Sequence, residues 1–253
     1  MNTRFGRAFR YEIGNYIRAI GVLWLVMALI PPVMMALAYF LGGRTASTTS
    51  FNGYSLAVGV FGLVLGMVSL RENQRVLNQN GVSRRSAFLS DVAALAVAAV
   101  LVAVGTTVIM GTYRAILGGE GRVLISDIYQ VLYETSGSSL GDLARGAALS
   151  AVLGWMLAGL GQLCSALYWR LNKFWTVLLS VAVPLTLIFG SVPLLDWMSS
   201  THAGQTVVRA LAAFGRFLMA SSWNMSAVFL AMGAAFFAVT WPLLRRANIR
   251  AAK

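Results

Sequence analysis

Residues 88–112 read FLSDVAALAVAAVLVAVGTTVIMGT, an apolar run with one acid, Asp91, and no basic residue. Coiled as an α-helix it would be about 37 Å long, more than the roughly 30 Å hydrocarbon core of a bilayer. It is apolar all round. It lacks the single stripe of a soluble surface helix and the two-residue alternation of a barrel strand. A membrane-spanning helix is the reading that fits, because in lipid every backbone polar group must be satisfied within the segment.

Five further stretches match this template, at 17–41, 54–70, 147–168, 174–197 and 223–244. The expected fold is therefore all-α, a polytopic membrane protein with six transmembrane helices in a single domain. Composition agrees: of 253 residues, 58% are hydrophobic and 11% charged, with a mean hydropathy of +0.73. A soluble domain carries roughly 25% charged residues, so a soluble enzyme, a disordered chain and a secreted disulfide scaffold are all excluded. Cys164 is the one cysteine and has no intrachain partner. Ala36-Leu37-Ala38 has the small-x-small pattern of a signal-peptide cleavage site. The apolar run before it is too long for such a peptide, so an uncleaved span is expected.

The formal net charge is +12, which in a soluble protein would point to nucleic acid. Its placement points to topology instead, and no nucleic-acid partner is expected. Arg4, Arg7, Arg10, Arg18, Arg71, Arg75, Arg84, Arg85, Arg170, Lys173, Arg245, Arg246, Arg250 and Lys253 fall on one side of a six-span layout. Arg44, Arg114, Arg122, Arg145, Arg209 and Arg216 fall on the other. Basic residues are retained in the cytoplasm, so both termini are expected there. The expected location is a cell membrane, of the bacterial cytoplasmic type.

Within 1–18, Phe5, Phe9, Ile13 and Tyr16 share a narrow arc, continued by Ile20, and Arg4, Arg7, Arg10 and Arg18 cluster opposite. That pattern describes an amphipathic helix lying along lipid headgroups at the cytoplasmic face. Glu12 falls at the edge of the apolar arc, where it snorkels, pairs locally or meets a cation of another subunit. The cytoplasmic segment 71–87 contains Asn80-Gly81, a turn signal, and Ser83, a residue able to cap the next helix. A short helical hairpin with Arg84 and Arg85 at its tip follows, the arginines being either topology signals or a contact surface. On the outside, segment 113–146 holds glycine-rich turns around an expected interfacial helix from Val123 to Tyr133. Segment 199–222 holds an amphipathic piece expected to dip into the outer leaflet.

Several chemistries are missing. A P-loop needs Gly-x-x-x-x-Gly-Lys-Ser/Thr, and neither Lys173 nor Lys253 has that context. Zinc proteolysis needs paired histidines, and the single histidine, His202, reads as a solvent-exposed loop residue. No catalytic residue, metal site or resident cofactor is expected. Asp91 and Asp196 stand near span ends, so no central ion relay is expected. A membrane enzyme would require polar or acidic groups converging at one membrane face, and the linear sequence displays no such cluster. Thr106, Thr107, Gln162 and Asn224 are mild polar residues within spans that either bond between helices or line a pathway. Gly59, Gly62 and Gly66, and Gly154, Ala158 and Gly161, form small-residue stripes suited to close packing. Pro31-Pro32, Pro184 and Pro193 are candidate helix breaks.

Together these parts resemble the permease subunit of an ABC-2-type transporter. The likeness lies in the whole layout and in Asn80-Gly81-Val82-Ser83-Arg84-Arg85-Ser86-Ala87-Phe88, which is similar to the Gly-hydrophobic-Ser-Arg-Arg stretch of that family's first intracellular loop. The resemblance implies that Gly81, Val82, Ser83, Arg84 and Arg85 couple to a separate ABC ATPase subunit, which would hold ATP and Mg. It also implies a second permease copy or paralogue, and a lipid-like, peptide or drug-like substrate, usually exported. A competing expectation is a non-transporting membrane scaffold or sensor subunit.

Overall fold

A computed structural model of the chain describes residues 3–42, 49–117, 123–135, 139–171 and 200–245, with short stretches between 175 and 198. The elements are α1 (Thr3–Gly42), β1 (Thr49–Asn52), α2 (Tyr54–Gln79), α3 (Arg84–Leu117), β2 (Val123–Ser126), α4 (Ile128–Tyr133), α5 (Leu140–Tyr168), α6 (His202–Ala220) and α7 (Ser222–Arg245). Among the described residues, five helices are long and apolar enough to cross a membrane: α1, α2, α3, α5 and α7. The expected span at 174–197 falls largely outside the described residues, as do Pro184 and Pro193.

In lipid, helices gain little from hiding apolar surface from one another, so close packing decides which of them associate. The two small-residue stripes meet for that reason. A Cβ on Gly62 would lie 2.2 Å from the carbonyl oxygen of Gly154, one on Gly66 2.0 Å from that of Ala158, and one on Gly161 2.2 Å from that of Leu63. The α2 and α5 backbones are thus in direct contact over two turns. α7 joins α5 in the same manner at Gly159 and Gly233, beside the rings of Trp155 and Phe237, whose centroids are 4.9 Å apart. Gly105 of α3 opens a seat for the indole of Trp24 of α1.

α1 departs from the expected layout. It is one continuous helix of 40 residues, where an interfacial helix followed by a separate span was expected. Its arc of apolar residues exists, but it is turned onto protein: Tyr16 and Ile20 are buried, with Phe9 and Ile13 packed against the same core. Arg7, Arg10 and Arg18 are exposed on the other side, and the side chain of Arg4 lies outside the described residues. Nor do Pro31 and Pro32 break the helix, which runs through both. Pro32 cannot donate to the carbonyl of Ala28, four residues back. The hydroxyl of Tyr113 on α3 replaces that donor, at 2.5 Å from the Ala28 oxygen.

The outer segments also correct the reading. Val123–Ser126 is not helical; it pairs in parallel with Thr49–Asn52, in the register Thr49 to Val123. The helix begins only at Ile128, where Asp127 caps it and the Asp127 amide donates to Gln130 Oε1 at 3.2 Å. Asp127 also accepts from the amide of Ser55 at 3.1 Å and from its hydroxyl, which contacts Ser150 at 2.6 Å. One carboxylate thereby ties the start of α2, the start of α4 and the body of α5 together. α6 is held at the same end, where Tyr133 donates to the Leu218 carbonyl at 3.1 Å and Asn224 to that of Phe217 at 2.9 Å. Apart from Gly204 its residues are largely exposed. Its face of Val207, Leu211, Phe214 and Leu218 opposes Arg209 and Arg216, as an interfacial helix requires.

Candidate functional site: the hairpin and the polar cluster behind it

The hairpin is built by local rules. α2 ends at Gln79, and Gly81 adopts φ +71°, a left-handed conformation that a side chain would oppose. The amide of Val82 then donates to the carbonyl of Leu77 at 3.0 Å, and Val82 packs on Leu77, the bond and the apolar contact of a Schellman stop. Asn80 adds a side-chain bond to the Val76 carbonyl at 2.9 Å. Ser83 caps α3: its Oγ lies 3.3 Å from the amide of Ser86 and its carbonyl accepts from Ala87 at 2.9 Å. The reversal therefore leaves few free torsions. It carries Arg84 and Arg85 exposed at its tip, Arg84 reaching the Arg245 carbonyl at 3.5 Å.

The N-terminal turns of α1 brace this hairpin. Ala8 is buried against Leu77, Val82 and Ala87. Arg170, at the end of α5, donates to the Leu243 carbonyl of α7 at 2.9 Å. The arginine-bearing ends of α2, α3, α5 and α7 are thus gathered at one end of the bundle. Asp127, α4 and α6 mark the other.

Behind the hairpin lies a feature the linear sequence hides. Glu12 and Tyr16 of α1, Ser69 and Asn73 of α2, Ser90 and Asp91 of α3, and Gln162 of α5 converge, and all seven are buried. Asp91 accepts from the Tyr16 hydroxyl, from Ser69 Oγ at 3.2 Å and from Gln162 Nε2 at 2.6 Å. Asn73 donates to the Tyr16 oxygen at 3.0 Å. Glu12 Oε1 accepts from Ser90 Oγ at 3.2 Å. The linear sequence displays no such cluster; the packing of four helices assembles it at the hairpin end of the bundle. Glu12, expected to snorkel, to pair locally or to reach another subunit, instead points into its own bundle.

Other expected residues scatter. Gln162 belongs to this cluster, whereas Thr107 back-bonds to the Ala103 carbonyl at 2.8 Å and Thr106 is buried with its hydroxyl unpartnered. Thr107 also borders a cavity of about 20 Å³ at the opposite end, with Arg114, Asp127, Gln130 and Asp142, room for roughly one water. Asn224 fastens α6. The structure does not bring these four together at one place. His202 is exposed at the first turn of α6, and no group of three metal-ligating side chains occurs among the described residues.

The chain matches no protein-family model, no curated protein and no solved structure.

The spacing held a signal for the cluster. Glu12 and Tyr16, and Ser69 and Asn73, are each four apart, so each pair shares a helix face. Asp91, an acid inside an apolar run, is where such faces would meet.

Proposed function

We propose that this chain is the permease subunit of an ATP-binding cassette transporter of the ABC-2 type, driven by a separate ATPase. The observation that carries the reading is the stiff, arginine-tipped hairpin. Its turn is closed by the Gly81 stop and the Ser83 cap, and it is braced by Ala8 and by the Arg84 contact to the Arg245 carbonyl. A push at such a tip moves α2 and α3 together, and α1 with them. That is the mechanical requirement for an engine outside the chain to shift the spans.

In this account both termini and the hairpin face the cytoplasm, and six spans cross the membrane. α5 ends beside the end of α7, whereas α7 starts at the opposite end with α6. In this proposal the sixth crossing falls between α5 and α7, at 174–197, which lies largely outside the described residues. A second permease, like or unlike, completes the pathway, and ATP with Mg is held by the partner ATPase. A difference in the partner's affinity for two arrangements of the spans supplies the drive. The substrate is lipid-like, peptide or drug-like, and is exported.

The test is reversal of both charges, Arg84→Glu with Arg85→Glu, in membranes that also contain the ATPase partner. Insertion is expected to be unchanged and stimulation of the partner's ATPase lost. Full stimulation by the double variant overturns the coupling role, and a stable, active chain with no such partner favours a scaffold or sensor.

A further inference from the structure

Glu12, Asp91 and Gln162 are each 0% exposed, on α1, α3 and α5 respectively. Counting hydrogens against acceptors separates their situations. Asp91 has donors from Tyr16, Ser69 and Gln162, enough to compensate a carboxylate. Glu12 has only Ser90, whose single hydroxyl hydrogen is also 2.9 Å from the Ala87 carbonyl. Among the described residues, nothing partners the buried Glu12 Oε2 or Gln162 Oε1.

The Gln162 oxygen belongs to the amide whose nitrogen touches Asp91, so it borders the same cluster. Turning that amide over gives no relief, since it would set its oxygen against the carboxylate. Among the described residues, no lysine or arginine is placed against either acid. A buried charge without a counter-charge costs several kcal/mol, and two orphaned acceptors add to that cost.

We infer that this cluster is a binding site for one monovalent alkali-metal cation, held by Glu12 and the Gln162 oxygen beside Asp91. Hard cations take oxygen ligands from carboxylates, amides and hydroxyls, which are the groups present. One charge is called for, because Asp91 is already surrounded by donors and Glu12 is not. A proton on Glu12 would compete for the same oxygens, and the two pH values of the experiment below separate it from a metal ion. An ion there would tie α1, α3 and α5 together just behind the hairpin. The inference is independent of the transporter reading.

The experiment uses the purified full chain in detergent, melted in NaCl or in choline chloride at equal ionic strength, and at two pH values. Sodium at tenfold excess over its Kd is expected to raise Tm by roughly 3–5 °C. Glu12→Gln is expected to abolish that increment, and Gln162→Leu to weaken sodium binding at least tenfold. Direct binding of radioactive sodium to the wild-type chain, about one ion per chain, keeps the test open if the variants do not fold. Equal melting in sodium and choline, with no sodium bound, overturns the inference. So does a Tm that follows pH but ignores sodium, which assigns the cluster to a proton.

Discussion

Tyr16 of α1 donates its phenolic hydrogen to Asp91 of α3, across 75 residues of sequence and in the buried interior of the bundle. The same oxygen accepts from Asn73 of α2 at 3.0 Å. One hydroxyl thus joins three helices. Its worth comes less from the strength of each bond than from the cost of leaving any member unpaired in a dry interior.

Removing that hydroxyl with Tyr16→Phe is expected to lower stability by about 1–3 kcal/mol. Asp91→Ala is expected to cost more, because it leaves the Tyr16, Ser69 and Gln162 donors without their acceptor. Thermal melting in detergent, followed by tryptophan fluorescence, ranks the two. A smaller loss for Asp91→Ala than for Tyr16→Phe contradicts the bonding scheme.

Gly66 sits against backbone, where nothing can swing away, so Gly66→Ala must push α2 off α5. A loss of roughly 1–3 kcal/mol is expected. Gly111 of α3 has open space at its Cβ position, and Gly111→Ala is expected to be neutral or to gain up to about 1 kcal/mol from helix propensity. Similar melting shifts for both substitutions would mean that the two stripes do not touch.

Tyr113→Phe leaves the Ala28 carbonyl with neither its helical donor nor its replacement. The expected loss is about 1–2 kcal/mol. Restoring the helical donor by Pro32→Ala should make Tyr113→Phe nearly silent, a coupling that a double-mutant cycle measures. Additive losses would show that the hydroxyl does not stand in for the missing amide.

Gly81→Val forces a branched side chain into a left-handed backbone and is expected to cost about 1–2 kcal/mol, with Gly81→Asn costing less. The damage should be local. Protease sensitivity or hydrogen exchange near 78–86 should rise while the α2–α5 contact stays protected. Uniform loss of protection would place Gly81 in the global fold rather than in the turn.

Local signals were readable in the chain itself. Asn80-Gly81 and Ser83 mark a turn and a cap by their own conformational chemistry, and the glycine stripes mark a close helix contact by spacing alone. Asp127-Ile128-Tyr129-Gln130 also carried a capping-box pattern, which places the start of α4 after Val123. What periodicity cannot supply is the partner of a face. The arc from Phe5 to Ile20 fits a lipid surface as well as it fits α3, and only packing chooses between them. The polar cluster needed four helices to be assembled before its members became neighbours. The donor that Pro32 withholds from Ala28 is replaced by a tyrosine more than eighty residues away.

The most direct measurement places a photo-crosslinking side chain at position 85 in native membranes and identifies what it captures. The account predicts a nucleotide-binding protein joined at the hairpin tip, with an adduct that changes in yield when ATP is supplied, and no such adduct from a control position on exposed α6. Capture of lipid alone at position 85, or of a protein that binds no nucleotide, would contradict it.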